Sequence, residues 1–336
     1  MAGPLIRATS ADGARAPKAR SGPVLSGARR AARLAARRLA MLVLLLAAVF
    51  AAVALLPGDA AGATSERGAG AAEVAARRTA LGLDRPVTTR FWDWMSGLPT
   101  GDLGTTAHGQ PVTTVLAAPF PNTLLLGTLA LVLSASGALA LGCWAALRPA
   151  GRIDRAVAVA CTAAFALPEF VVSVALLLLL SQWTGWLPAV TLTGPDGAPA
   201  SWDMLVLPLL ALAIPQIGWN TRIVRGALAD QGALPHVQAA ILDGLPRRRV
   251  LTHHMLPGAL PAVAISTATS AGMLLGGAVV VETLFNYPGI GAVLAGAIAD
   301  RDTPLVAAVV ATTGAVISLL LLLADLARDH VLGAHR

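Results

Sequence analysis

The sequence predicts an all-α integral membrane protein with six transmembrane helices, and three observations predict it. Of 336 residues, 56% are hydrophobic and 13% charged, a balance too apolar for a soluble domain to cover with polar surface. Six apolar runs approach the roughly 20 residues that a helix needs to cross the hydrocarbon core. Basic residues divide unevenly between alternate connecting segments, as inside-positive topology requires.

Taken in order, residues 1–38 are rich in Arg, Ala, Gly and Pro with one acid, Asp12. They are expected to form a disordered basic tail that touches anionic lipid. The first span covers 39–56. A cleaved signal peptide is the alternative, with Ala60, Ala61 and Gly62 near a small-residue cleavage site, but the basic lead is long for such a signal. Residues 57–121 form an external segment. It holds an amphipathic stretch from Glu73 to Leu83 and a group of Phe91, Trp92, Trp94 and Met95 placed as an interfacial anchor. A turn follows at Gly101-Asp102-Leu103-Gly104.

The remaining five spans occupy a core over 122–326, expected at 123–147, 156–180, 204–219, 259–281 and 304–324, with 327–336 as a tail. Pro208 and Pro215 interrupt the fourth, which is short as counted and is expected to be kinked, extended through Asn220 and Thr221, or tilted. A loop over 226–257 joins spans four and five.

Orientation follows from arginine, since Lys18 is the only lysine. Of the 25 basic residues, 19 fall in the two terminal segments and the even-numbered connections, and 6 in the others. Both termini are therefore expected in the cytoplasm. The same topology accounts for a sequence pI near 11.0, leaving nucleic-acid binding the weaker reading. Cys143 and Cys161 lie inside apolar runs and read as small packing residues, neither disulfide partners nor metal ligands.

The loop between spans four and five carries a helix signature. Pro235 fits a first turn, where its missing N–H costs nothing, and Gly244 fits the position past the last turn. Val237, Ile241 and Leu245 recur at i, i+4 and i+8, a stripe that suits a groove on a partner. Ala239 and Ala240 are small enough for close approach. Arg247, Arg248 and Arg249 follow the C-terminus, where cations are favoured.

Read with its flanks, the run Gln238-Ala239-Ala240, three residues, Gly244, then His254-Met255-Leu256-Pro257 resembles the cytoplasmic coupling loop of ABC-transporter permeases from binding-protein-dependent uptake systems. Leu81-Gly82-Leu83-Asp84-Arg85-Pro86, Gly101-Asp102-Leu103-Gly104, Pro111-Val112, Leu167-Pro168 with Phe170, and Trp186-Leu187-Pro188 narrow the resemblance to the dipeptide, oligopeptide and nickel branch. So do the run 276–283 with Phe285, Pro288-Gly289-Ile290-Gly291, and Arg301-Asp302 with Pro304. Four positions depart from the family pattern. Gln238 stands where Glu is common, His254 replaces the wider superfamily's apolar residue although a histidine there is familiar in this branch, and Pro235-His236 stand where the branch tends to show Asp-Tyr.

The resemblance implies a membrane permease subunit of an importer for small peptides, with nickel or another small polar solute as the alternative. It also implies a second homologous permease subunit, two cytoplasmic ATPase subunits and an extracytoplasmic substrate-binding protein, in a bacterial cytoplasmic membrane. ATP-Mg would sit on the partner subunits, and this chain would bind no cofactor. The ATPase-coupling residues would be Val237, Gln238, Ala239, Ala240, Ile241, Gly244, Leu245, His254 and Pro257.

Missing chemistry bears on the alternatives. No phosphate loop, His-Glu-x-x-His or Gly-x-Ser-x-Gly motif occurs, so no enzyme constellation is expected. Adjacent His253 and His254 project about 100° apart on a helix without companions at ligand spacing, so no metal site is expected. An ATP-independent secondary transporter would call for two similar halves and midplane carboxylates, against one acid well inside a span, Glu169. Beside Pro168, Glu169 is expected to face the translocation path and meet a cationic group; its bland alternative is a protonated acid or a partner for backbone freed by Pro168. Asp102, Glu282, Arg301 and Asp302 are grouped as an external gate or binding-protein contact, with solvated ion pairs as the alternative.

Overall fold

The computed structural model describes residues 23–65, 69–149 and 151–333. Among them there is no β-strand, only isolated bridges pairing Thr105 with Pro111 and Thr193 with Pro199. The first helix, α1 (Pro23–Leu55), starts well before the predicted span. The expected disordered tail is thus helical from Pro23 onward, because its Ala and Arg are strong helix formers that extend the apolar helix behind them. Residues 1–22, the rest of that expected tail, lie outside the described residues.

The segment over 57–121 folds into short helices: α2 (Ala60–Thr64), α3 (Ala71–Ala80), α4 (Val87–Gly97) and α5 (Val112–Leu116). The aromatic group on α4 splits by helix face. Phe91 and Trp94 are buried against Phe50 of α1, with ring centroids 5.3 and 5.4 Å apart, and only Trp92 stays 64% exposed. Exposed Trp183, Trp186 and Trp202 complete the kind of aromatic belt found at a membrane interface.

The core follows with α6 (Pro119–Ala146), α7 (Arg152–Ala166), α8 (Glu169–Leu176, continued by a π turn over Leu177–Trp183) and α9 (Val206–Gly232). Then come α10 (Pro235–Leu242), the short α11 (Arg247–Arg249), a π turn over Val250–Met255, and α12 (Leu256–Leu284). The chain closes with α13 (Ile290–Ala299) and α14 (Thr303–Gly333), so the segment expected as a C-terminal tail largely prolongs α14. Five helices are long and apolar enough to cross a membrane, and α7 with α8 supply a sixth if the bent pair counts as one span.

Two spans are settled by the structure. The fourth takes the extended alternative: it is the continuous α9, which runs through Asn220 and Thr221 to Gly232. Pro208 falls in its first turn and Pro215 alone lies in its interior. It is also the central helix, packed against α6, α7, α8 and α12. Of its apolar window 61% is buried, compared with 17–33% in the other four long helices, so neighbours accommodate the freed carbonyl. The third span is the broken one. Leu167 and Pro168 adopt extended backbone, as a residue before proline prefers, and α8 leaves α7 at 103°.

Small residues let α9 sit this deep. A Cβ on Gly142 of α6 would collide with Val224, and one on Gly218 would meet the backbone of Cys161 and Phe165 in α7. A second packed group joins α1, α4, α5, α13 and α14 through Leu46, Phe50, Ile290 and Ala307. Arg38 pairs with Asp325 at 2.6 Å, tying α1 to α14.

Candidate functional site

At one end of the bundle α10 lies across the C-terminus of α9. Pro235 occupies its first turn, and the chain leaves through Gly244 at φ +76°, a left-handed conformation that glycine adopts without strain. Leu245 N–H donates to the Ala240 carbonyl at 3.2 Å and Gly244 N–H to Ile241 at 3.1 Å, the double bond of a Schellman cap. The predicted helix and its stop are both present.

The stripe offered to a partner is divided differently. Val237 is fully buried, Ala240 is 5% exposed, and both pack with Leu245, Val250 and Met255. The helix therefore spends Val237 and Leu245 on its own bundle, because an eight-residue helix needs tertiary packing to be stable. What faces outward is Ile241, 51% exposed, and Leu242, 86% exposed, alongside Gln238 and Ala239. Leu242 is absent from the sequence prediction, although its place in the last turn before Gly244 marks the face opposite Val237.

Gln238 donates from its side-chain amide to the Gly232 carbonyl at 2.6 Å, so the departure from Glu provides a tether to α9. His254 is half-buried and its carbonyl lies 3.5 Å from His236 Nε2. Pro257 sits in the first turn of α12 behind the π turn. Beside α10 a cavity of about 450 Å³ is lined by Gln238, Ile241 and Leu245, and by Asp154 and Arg225, which pair across α7 and α9 through Arg225 Nε at 2.9 Å. Arg247 Nη1 donates to the Leu147 carbonyl at 3.1 Å, anchoring the segment to the end of α6.

Inside the bundle, Glu169 opens α8 at the bend, and its carboxyl lies where a Cβ on Gly277 of α12 would be. Gly277 is what lets the acid approach that helix. Pro168 and Phe170 beside it are exposed on the chain's surface. Between α9 and α12 a buried trio links Ser266 Oγ to Asn220 Oδ1 at 2.5 Å and Asn220 Nδ2 to Ser270 Oγ at 2.8 Å; sequence reasoning missed these residues, whose polarity amid apolar runs was the available signal.

The four residues grouped as an external contact are not alike. Glu282 is fully buried. It accepts from Thr123 Oγ1 and from Gly291 N–H, both at 2.6 Å, while Ile290 N–H donates to Thr123 Oγ1 at 2.9 Å. Asn122 adds bonds to the carbonyls of Gly197 and Pro288, and Tyr287 Oη donates to the Asn122 carbonyl at 2.8 Å. Burial first, then the charge of Glu282, pushes the Tyr287 phenol above its usual range. Asp302 is 1% exposed and accepts from Ala107 N–H at 2.6 Å and Leu305 N–H at 3.1 Å. Both acids staple the fold, so neither offers a carboxylate to a docking protein. Asp102 is exposed and accepts from Gly104 N–H at 2.8 Å, and Arg301 is partly exposed at φ 58°.

Two protein families match nearly the whole of this architecture. Residues 138–332 match the binding-protein-dependent transport system inner membrane component, and residues 30–126 match the N-terminal part of such membrane components. The chain belongs to this family of ABC-transporter permeases. It is similar to a probable peptide ABC transporter permease of Sinorhizobium fredii, 32% identical over 281 residues that cover 83% of this chain and 90% of the relative. A glutathione transport system permease of Pectobacterium atrosepticum is 32% identical over 286 residues, 85% and 91% of the two chains. The oligopeptide transport system permease of Mycobacterium tuberculosis strain H37Rv is 34% identical over 258 residues, 73% and 79%. The chain is accordingly a multi-pass membrane permease, a transport component that works within a larger transporter.

Proposed function

We propose that this permease imports small peptides across a bacterial cytoplasmic membrane. It pairs with a second homologous permease subunit and takes substrate from an extracytoplasmic binding protein. Two cytoplasmic ATPases hold ATP-Mg and perform the hydrolysis, leaving this chain without a catalytic role. Both termini are cytoplasmic in this arrangement, and α10 faces the ATPases. The observation that carries the coupling role is the pairing of exposed Ile241 and Leu242 on a helix whose other face packs against the π turn over Val250–Met255 and whose Gln238 is bonded to the end of α9. A rigid helix with a free apolar edge passes motion to the bundle, as amphipathic helix-in-groove contacts do. Peptide as substrate is supported by the relatives named for peptide, oligopeptide and glutathione transport.

In this reading Pro168 and Glu169 lie on the translocation path and the carboxylate meets a peptide amino terminus. An acid at mid-span is costly unless it serves a pathway. Of the four residues grouped as an external contact, exposed Asp102 remains for the binding protein, since Arg301 Nη1 is held by the carbonyls of Ile298 and Ala299.

The test is uptake of labelled tripeptides by cells carrying the intact system or lacking this gene. Loss of uptake is expected on deletion, with restoration by the wild-type chain. Glu169→Gln is expected to lower uptake of peptides with a free amino terminus more than that of amino-acetylated ones. Peptide uptake unaffected by deletion would remove the substrate assignment, and an equal effect on both peptide types would remove Glu169 from the path.

A further inference from the structure

The end of the bundle opposite α10 carries two adjoining cavities of about 320 and 610 Å³, and Arg90 of α4 and Arg301 of the α13–α14 turn line both. Arg301 Nη1 is held by the carbonyls of Ile298 at 2.7 Å and Ala299 at 3.3 Å. Its Nε is enclosed and has no partner among the described residues. Arg90 has no side-chain hydrogen bond or ion pair among those residues, and partial burial depresses its pKa.

The acids around these cavities are already engaged. Asp93 pairs with Arg85 at 2.6 Å and Asp59 with Arg78 at 2.9 Å. Asp302 takes the N–H groups of Ala107 and Leu305, and Asp102 takes that of Gly104. Asp59 is the acid lining the larger cavity and is paired with Arg78, so two guanidinium groups reach that space without an ion-pair partner among the described residues, and a half-buried cation without one is costly.

The depth of the site points to its ligand. The larger cavity is walled by Val53, Ala54 and Pro57 at the end of α1, flanking Leu55, which is 85% exposed at the end of an apolar helix. Trp92, two residues from Arg90, is exposed as well. That is where a membrane-crossing helix meets the headgroup layer and where Trp is enriched. Phosphate is the abundant anion at this depth, and the guanidinium fork matches its oxygens.

We propose that Arg90 and Arg301 form an oxyanion site for phosphate, supplied by a phospholipid headgroup that seats the external helices on the membrane. The site is independent of the solute transported and of the coupling role assigned to α10.

The test is native mass spectrometry of the full-length chain purified in mild detergent and titrated with phosphatidylglycerol, phosphatidylcholine or inorganic phosphate. One retained phospholipid is expected. Retention should fall about tenfold in Arg90→Gln, in keeping with the worth of a hydrogen bond to a charged group, with a smaller fall in Arg90→Lys. Inorganic phosphate bound by the wild type, lost in Arg90→Gln and accompanied by no lipid would support the oxyanion site with free phosphate as its source. Equal retention of every probe in wild type and Arg90→Gln, or no binding of any, overturns the proposal. Arg301→Gln is a second variant, but Arg90→Gln carries the decision because it removes no side-chain bond of the fold; a monodisperse elution profile verifies its folding.

Discussion

The side-chain amide of Gln238 hydrogen-bonds the carbonyl oxygen of Gly232 at 2.6 Å, and this bond joins α10 to the last residue of α9. The final carbonyls of a helix have no partner within it, so Gln238 satisfies one while fixing the angle of the next helix. Glu at this position, charged at neutral pH, would have no proton to donate.

Gln238→Glu is therefore expected to loosen α10. One exposed hydrogen bond is worth about 0.5–1.5 kcal/mol, so amide exchange over 235–245 should quicken by roughly two- to tenfold. Hydrogen exchange read by mass spectrometry measures it. Unchanged exchange would mean that packing of Val237 alone holds the helix.

Leu242 gives the complementary case. Its side chain is 86% exposed, so Leu242→Asp should leave the chain's thermal stability within about 0.5 kcal/mol of wild type. In the proposed assembly the same change desolvates a carboxylate against the ATPase, and co-purification of the ATPase should fall at least tenfold. Undiminished recovery would move the coupling contact away from α10. Val237→Asp, by contrast, should destabilise the chain itself, since that position is fully buried.

Glu282 is expected to be the most sensitive acid in the chain. Removing its carboxylate by Glu282→Ala strands Thr123 Oγ1 and Gly291 N–H in a buried site. Each unsatisfied donor costs about 1–3 kcal/mol, so for the two a loss of about 2–6 kcal/mol is expected in denaturation of the detergent-solubilised protein. Tyr287→Phe, which deletes one bond to the Asn122 carbonyl, should cost about 1 kcal/mol. Reversal of that order would place the weight of the joint on the tyrosine.

Legibility in the sequence followed the range of the interactions. Apolar run length located every long helix, and Pro235 with Gly244 located α10, because these signals are local. The break at Leu167 and Pro168 was harder to read than the apparent weakness of α9. A proline's effect depends on whether neighbours accommodate its missing bond, and α9 has helices on several sides whereas α7 and α8 have few. Val237 and Glu282 show the same limit. The period of a stripe says which residues share a face but not whether that face meets the protein's own bundle, and an acid near a span end looks solvated until Thr123, 159 residues away, closes over it.

Asp302 provides a pH test of the α13–α14 joint. Burial is the largest influence on its carboxyl and raises its pKa; the N–H groups of Ala107 and Leu305 and the nearby His108 oppose the shift, and Asp300 adds to it. A carboxyl raised in the folded state binds its proton more tightly there than in the unfolded chain. Its contribution to stability is thus greatest at low pH, falls as pH rises from about 3.9 toward the raised value, and is level above it. Asp302→Asn cannot titrate, and its amide oxygen replaces only one of two acceptors, so it should cost about 0.5–1.5 kcal/mol. The midpoint of thermal unfolding, followed from about pH 3.5 to 7 for both proteins, should show the wild-type advantage shrinking as pH rises through that window. Curves that stay parallel, or an advantage that grows with pH, would mean that the two backbone bonds outweigh burial and hold Asp302 ionised.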